Sequence, residues 1–251
     1  MASTAGSDPG GERADLPEPR PEHHRDIQGG TARAAVFGVS DGLLTNVSLI
    51  LGVAGASPTS GLVRLAGMAG LVAGAISMAA GEYISMSAQR ELIHREVGVE
   101  REELRRNPEF ERRELVSVYL ERGVPRAIAE DFVEALMRDP EVALAVHARE
   151  ELGIDPSRTG SPTRAAVSSF FSFAVGALIP LIPWFFGTGW GAVLVSIVLG
   201  AVAALAIGAA IGFFSERSII RAALRQLLIT AVAAAVTFGV GRLVGGVTTT
   251  A

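Results

Sequence analysis

Neither cysteine nor lysine occurs in the 251 residues. Without cysteine there is no disulfide framework and no thiolate metal site, so a bound metal takes oxygen, nitrogen or thioether sulfur. The lack of lysine leaves arginine as the only strong cation, which fits the coding bias of a GC-rich genome and carries no mechanism. A cleavable signal peptide is not expected, because proline, glycine and charge interrupt any apolar run in the first thirty residues. Charge is also missing from long stretches. Segments 165–189 and 191–214 carry none, and 226–247 carries only Arg242. With 34–56 and 62–88 they make five candidate spans, each near or above the roughly 20 residues that cross a hydrocarbon core. Hydrophobic residues make up 49% of the chain and mean hydropathy is positive, which is high for a soluble domain of this length.

Two acidic residues break the apolar pattern. Asp41 lies in AAVFGVSDGLLTNVSLILGVAGA (34–56), and Glu82 lies in the second span beside Met78 and Met86. A charge near a bilayer centre costs about 3 kcal/mol, so intramembrane carboxylates face a bundle interior and mark ion paths or proton relays. Transport is therefore the leading expectation. Met78, Glu82 and Met86 recur every four residues and form one stripe, and Asp41 and Thr45 are likewise i, i+4, with Asn46 adjacent. A thioether beside a carboxylate offers a mixed site for a borderline-soft divalent ion; core packing is the alternative use of a methionine stripe.

Flanking charge orders the spans. Arg20, Arg25 and Arg33 precede the first, the 57–61 loop is uncharged, a long arginine-rich segment follows the second, the 187–189 loop is uncharged, and Arg217, Arg221 and Arg225 lie between the fourth and fifth. The positive-inside rule places the N-terminus, 90–164 and the Arg217 region in the cytoplasm, and five spans then leave the C-terminus outside. Segment 1–31, rich in proline, glycine and charge, is expected to be a disordered cytoplasmic tail; His23-His24 near its end either touch a metal or are simply solvated. The domains expected are this tail, spans one and two (32–89), a cytoplasmic helical domain (90–163), and spans three to five (164–251).

Segment 90–164 holds 13 of the 22 basic and 17 of the 26 acidic residues. It reads as helical throughout. The second span runs on past residue 89, with Gly98 a weak point. Asn107-Pro108 and Asp139-Pro140 each pair a capping residue with proline at the first helical position, and Pro125 opens another helix between them. Gly123 and Gly153 close two of these helices. Glu100 and Glu103, Glu111 and Glu114, and His147 with Glu150 and Glu151 stand at i, i+3 or i, i+4, so each helix offers ligands on one face. Carboxylates with one imidazole suit Fe²⁺, Mn²⁺ or Zn²⁺, and such faces build metal sites in helical bundles. A solvated surface is the alternative, since Arg101, Arg105, Arg106, Arg112 and Arg113 interleave with the glutamates. An unbroken second helix would put Glu82 and Glu100 five turns apart and in phase, roughly 27 Å. The pairs Gly70/Gly74 and Gly208/Gly212 permit close helix approach or dimerisation. Pro180 and Pro183 are expected to kink or end span three near the outer face.

Three blocks in order, FGVSDGLLTNVSLILGVAGA, ISMAAGEYISMSAQRE and PTRAAVSSFFSFAVGALIPLIP, resemble the signature blocks of the vacuolar iron transporter family, which includes bacterial members. The resemblance covers about 23–247. It implies an all-α polytopic membrane protein with five transmembrane helices and an inserted cytoplasmic helical metal-binding domain. It also implies a homodimer, and export of Fe²⁺, and often Mn²⁺, from the cytosol against inward protons. By this resemblance Asp41 and Met78 correspond to the family's membrane-site Asp and Met, and Glu82 to its Gly-Glu-aromatic block. Glu100, Glu103, Glu111 and Glu114 correspond to glutamates of its metal-binding domain, with Glu151 a further ligand. His147 stands where a methionine is expected in the eukaryotic pattern.

The chain is accordingly expected to be a secondary metal/H⁺ antiporter and not an enzyme, in a bacterial inner membrane. Divalent metal ions and protons are its expected partners, in contact with membrane lipid and a second copy. No prosthetic group and no nucleic acid are expected. Asp41, Met78 and Glu82 would form the membrane site, and Glu100, Glu103, Glu111, Glu114, His147, Glu150 and Glu151 the metal domain. The rivals are a membrane-anchored metal sensor or buffer, a di-iron oxidase using the Glu-x-x-Glu pairs, and a scaffold without chemistry.

Overall fold

The structure is a computed structural model describing residues 31–156 and 160–248, with side chains from 34 to 245. Expectations for the 1–30 tail, His23, His24 and the last three residues lie outside the described residues. Among those described there are helices and no strands: α1 (Thr31–Ala56), α2 (Ser60–Arg106), α3 (Pro108–Glu121), α4 (Arg126–Met137), α5 (Pro140–Glu150), α6 (Pro162–Leu181), α7 (Pro183–Phe186), α8 (Gly189–Phe214) and α9 (Ile219–Thr248). Helices α1, α2, α6, α8 and α9 are long and apolar enough to cross a membrane. The protein is an all-α polytopic membrane protein.

Helix α1 sits at the centre, packed on α6, α9, α2 and α8. Its inward face carries Leu43, Val47, Ile50, Leu51 and Ala54, which join Leu181, Trp184 and Val193 in one core. Glycine sets the closeness. A Cβ on Gly42 would overlap the carbonyl oxygen of Phe173, and one on Gly176 would overlap that of Val39, so α1 and α6 touch backbone to backbone. Gly42→Leu is expected to destabilise the folded protein by about 1–3 kcal/mol or more through overpacking. A fluorescence-detected melt in detergent measures this, and an unchanged transition would contradict the packing. Gly74 receives the Phe173 ring, Gly70 receives Leu49, and Gly208 and Gly212 receive α9. Both glycine pairs are thus used within one chain.

Span three ends earlier than its apolar run. Pro180 occupies the last turn of α6, and Pro183 starts the one-turn α7, so the crossing is Pro162–Leu181 and not 165–189. A proline removes a backbone donor, and neighbouring side chains serve the carbonyls around the break. Asn46 Nδ2 donates to Ala177 O at 2.6 Å and Ser196 Oγ to Pro180 O at 2.8 Å. Span five begins earlier than expected. Ser218 bonds the first turn of α9 through its carbonyl to Ala222 N, so Arg221 and Arg225 lie on the helix and not in the loop.

Helix α2 is unbroken for 47 residues through Gly98, about 70 Å at 1.5 Å per residue. Its far end packs against α3 and α5, and α4 covers them. Leu115, Val116, Ala129 and Val133 fill this second core, with Tyr119 edge to face on Phe132 at 5.3 Å. The proline starts at Pro108 and Pro140 appear as expected, and Asp139 accepts bonds from Glu141 N and Val142 N. Gly123 and Gly153 adopt positive φ, 86° and 64°, just past α3 and α5. Alternating crossings put this domain, the start of α1 and the α8–α9 turn on one side of the bundle.

Candidate metal and proton sites

The first site lies among the membrane-spanning helices, in a cleft open on one side. A cavity of about 320 Å³ is lined by Asp41 and Thr45 of α1, Ser77, Met78 and Glu82 of α2, and Phe173 of α6. Asp41 Oδ1 accepts a bond from Thr45 Oγ1 at 3.4 Å, the i, i+4 pairing of one helix face. Met78 and Glu82 face the same space for the same reason. Asp41 and Glu82 lie toward the helical-domain ends of α1 and the membrane part of α2, about 10 Å inside the level of Ala34 for Asp41. Met86 stays out of this cavity: it is buried one turn further on, its methyl group against Gly160. Ser77 and Phe173 were not singled out by sequence. Ser77 precedes Met78, and Phe173 gains its place only because the glycine contacts bring α6 onto α1 and α2.

The second site lies outside the bundle. Glu100 of α2, Glu111 of α3, His147 of α5 and Glu151 just past it each present one ligand atom, all within 4.8 Å of one another. His147 Nδ1 stands 2.8 Å from Glu151 Oε1, 3.2 Å from Glu100 Oε1 and 3.7 Å from Glu111 Oε2. Ligands about 2.1 Å from one ion lie at most about 4.2 Å apart, so a contraction of roughly half an ångström lets a single cation bridge the set. His147 is fully buried, and Glu100 and Glu111 are each only 4% exposed. Glu100 Oε1, despite its 3.2 Å approach, makes no hydrogen bond, and neither does His147 Nε2. Buried polar atoms are almost always bonded. Three carboxylates around one imidazole keep excess negative charge even when the imidazole is protonated, and a divalent cation compensates it. The donor set suits Fe²⁺, Mn²⁺ or Zn²⁺.

Burial, first, and then the Glu151, Glu111, Glu103 and Glu114 carboxylates push the Glu100 carboxyl from 4.5 up to about 7. Burial also raises Glu111, and His147 opposes it. With the folded pKa above the unfolded one, the folded state holds the extra proton. The empty domain therefore loses stability as pH rises from about 4.5 to about 7, then levels off. Metal displaces that proton, so affinity is expected to climb with pH, at most tenfold per unit for one proton, and to flatten above about 7. Calorimetric titration with Mn²⁺ between about pH 5.5 and 8 tests this, and a flat profile would contradict it.

Glu103 and Glu114 are exposed; they act on Glu100 through space and stand outside the four-residue cluster. Glu150 is held by Arg122, leaving Glu151 as the residue at the cluster. Other arginines pair at the surface, Arg101 with Glu141 and Arg106 with Glu102, so they leave the cluster's carboxylates free.

The model described as the VIT family matches residues 32–242. The chain is 34% identical over 220 residues to "Vacuolar iron transporter 1" of Eucalyptus grandis, covering 86% of this chain and 87% of the relative. It is 36% identical over 230 residues to "Vacuolar iron transporter" of Acanthamoeba castellanii, covering 88% and 82%. It is 32% identical over 230 residues to "Vacuolar iron transporter 1" of Arabidopsis thaliana, covering 89% and 91%.

Proposed function

Because the chain belongs to the VIT family, we propose that it exports a divalent metal ion, Fe²⁺ and by donor chemistry also Mn²⁺, from the cytosol in exchange for protons. The observation that carries this is the alignment of two oxygen-rich sites on one unbroken helix. Glu82 and Glu100 share a face of α2 roughly 27 Å apart, one at the cavity in the bundle and one in the cluster outside it. The cluster captures the ion from the cytosol. Asp41, Met78 and Glu82 then bind it within the membrane, where thioether and carboxylate donors hold a borderline-soft cation. A proton arriving from the outer side neutralises one carboxylate, weakens the site, releases the ion outward and returns inward on the same oxygen.

The cytoplasmic side is assigned by arginine, since the helical domain and Arg217, Arg221 and Arg225 share one side of the bundle. A bacterial inner membrane, an inside N-terminus and a homodimer complete the proposal. An anchored sensor or buffer has no use for Asp41 and Glu82 around a cavity between membrane helices. A di-iron oxidase wants two Glu-x-x-His pairs, and the cluster holds one histidine.

The test is Fe²⁺ flux into proteoliposomes with and without an imposed pH gradient, read by a metal-quenched dye and by a pH dye in parallel. Coupled export is expected to give metal entry and proton exit together. Metal entry with no proton signal and no response to the gradient would refute the antiport.

A further inference from the structure

A third cavity, of about 500 Å³, lies between the end of α8 and the start of α9 and is used by neither metal site. Ser215, Arg217, Ser218, Arg221 and Arg225 line it beside Gly212. A tight turn builds it. Arg217 N donates to Gly212 O at 3.0 Å and Glu216 N to Phe213 O at 3.4 Å, with Glu216 at φ 51°. That is the Schellman end of a helix, with glutamate where glycine is usual. Gly208 and Gly212 then let α9 approach closely: a Cβ on Gly212 would lie 2.8 Å from Ile219 Cα. Residues 217, 221 and 225 recur at the four-residue spacing and face one space.

Three exposed arginines line it with no ion pair among the described residues, whereas Arg101, Arg106, Arg112 and Arg126 of the helical domain each meet a carboxylate. Phe213 and Phe214, both exposed and apolar, pack edge to face at 5.6 Å at the end of α8, next to the arginine turn. Ile220, Leu224 and Leu228 are exposed beside the arginines on α9. Leu224 and Leu228 each lie three residues past Arg221 and Arg225 on the same helix, so an exposed apolar strip runs beside the arginines.

We propose that this turn binds an anionic phospholipid, its phosphate among Arg217, Arg221 and Arg225 and an acyl chain along Leu224 and Leu228. Basic pockets between transmembrane helices recognise such headgroups. A free phosphate matches the arginines but leaves the exposed Leu224 and Leu228 unused, so the lipid is the better match.

The test uses the delipidated full-length protein in detergent, titrated with dioleoyl phosphatidylglycerol or dioleoyl phosphatidylcholine and read by native mass spectrometry. Phosphatidylglycerol is expected to bind in preference to phosphatidylcholine. Arg221→Gln with Arg225→Gln is expected to lower its affinity about 25-fold, roughly fivefold per arginine, with phosphatidylcholine unaffected. Arg225→Lys keeps the charge and most of the preference, and Arg126→Gln in the helical domain changes nothing. Where the double variant aggregates, the fivefold loss in Arg225→Gln and the wild-type lipid comparison carry the test. Equal binding of the two lipids, a variant affinity within twofold of wild type, or inorganic phosphate binding as tightly as phosphatidylglycerol would each overturn the proposal.

Discussion

Asp41→Asn and Glu82→Gln are each expected to cut metal flux through the reconstituted protein by about thirtyfold or more. A carboxylate 4 Å from a divalent ion contributes a gross attraction of about 8 kcal/mol at an effective dielectric constant of 20. Desolvation offsets most of it. If a quarter survives, about 2 kcal/mol of ion binding disappears with the charge, which is roughly thirtyfold in occupancy. The amides are nearly isosteric, so the helices stay packed. Asp41 accepts a 3.4 Å bond from Thr45 and lines a cavity, so no core volume is lost. Thr45→Val keeps both acids and is expected to cost only a few-fold. The measurement is initial Fe²⁺ or Mn²⁺ entry into proteoliposomes of matched protein content. Flux within twofold of wild type in either amide variant would remove these residues from the path.

The second large effect concerns the metal cluster. Glu100→Gln combined with His147→Ala is expected to weaken Mn²⁺ binding to the full-length protein about a hundredfold or more, since two of the four ligands in one shell are lost. Glu150→Gln is expected to leave it unchanged, because Glu150 is engaged by Arg122. That contrast separates the cluster from a diffuse acidic surface, in which Glu150 and Glu100 would count alike. Stability responds oppositely. Glu100 is buried and its carboxyl is pushed from 4.5 up to about 7, so ionising it in the folded state costs on the order of 3 kcal/mol above that pH. The metal-free Glu100→Gln single variant should therefore melt at or above the wild-type temperature at about pH 8. Equilibrium dialysis and a melt at that pH decide both points. Equal weakening by Glu150→Gln, or a strongly lowered melt for Glu100→Gln, would count against the cluster as described.

The spans were legible because a hydrocarbon core demands long apolar runs with few charges, and this chain supplies five. The starts at Pro108 and Pro140 were legible because proline and a capping residue leave a local signature. The start of span five was not. Arginine is a good helix former, so Arg221 and Arg225 stop an apolar run without stopping α9. The end of span three was legible from Pro180 and Pro183, though hydropathy alone continues the apolar run to Gly189. The unbroken α2 was legible only in part. Gly98 weakens helix propensity but meets no neighbour within 4 Å, and nothing there breaks the helix.

Among the candidate ligands, spacing identified faces and not partners. Each Glu-x-x-Glu pair puts two residues within one turn, and the rotation of each helix about its own axis decides which turns inward. For α3 and α5 that rotation follows the Leu115, Val116, Ala129 and Val133 core, which Val146 joins. The packing of α2 on α3 and α5 brings Glu100 and Glu111 to His147 and leaves Glu103 and Glu114 outside, and Glu151 rather than Glu150 reaches the cluster. Sequence alone determined how often the chain crosses the membrane, where its acids enter the apolar spans and what donor chemistry a metal would meet. All of these are properties of single segments. Only the tertiary structure decided which oxygens meet and where a cavity opens, because those depend on backbone contacts between helices far apart in the chain, above all at Gly42 and Gly176.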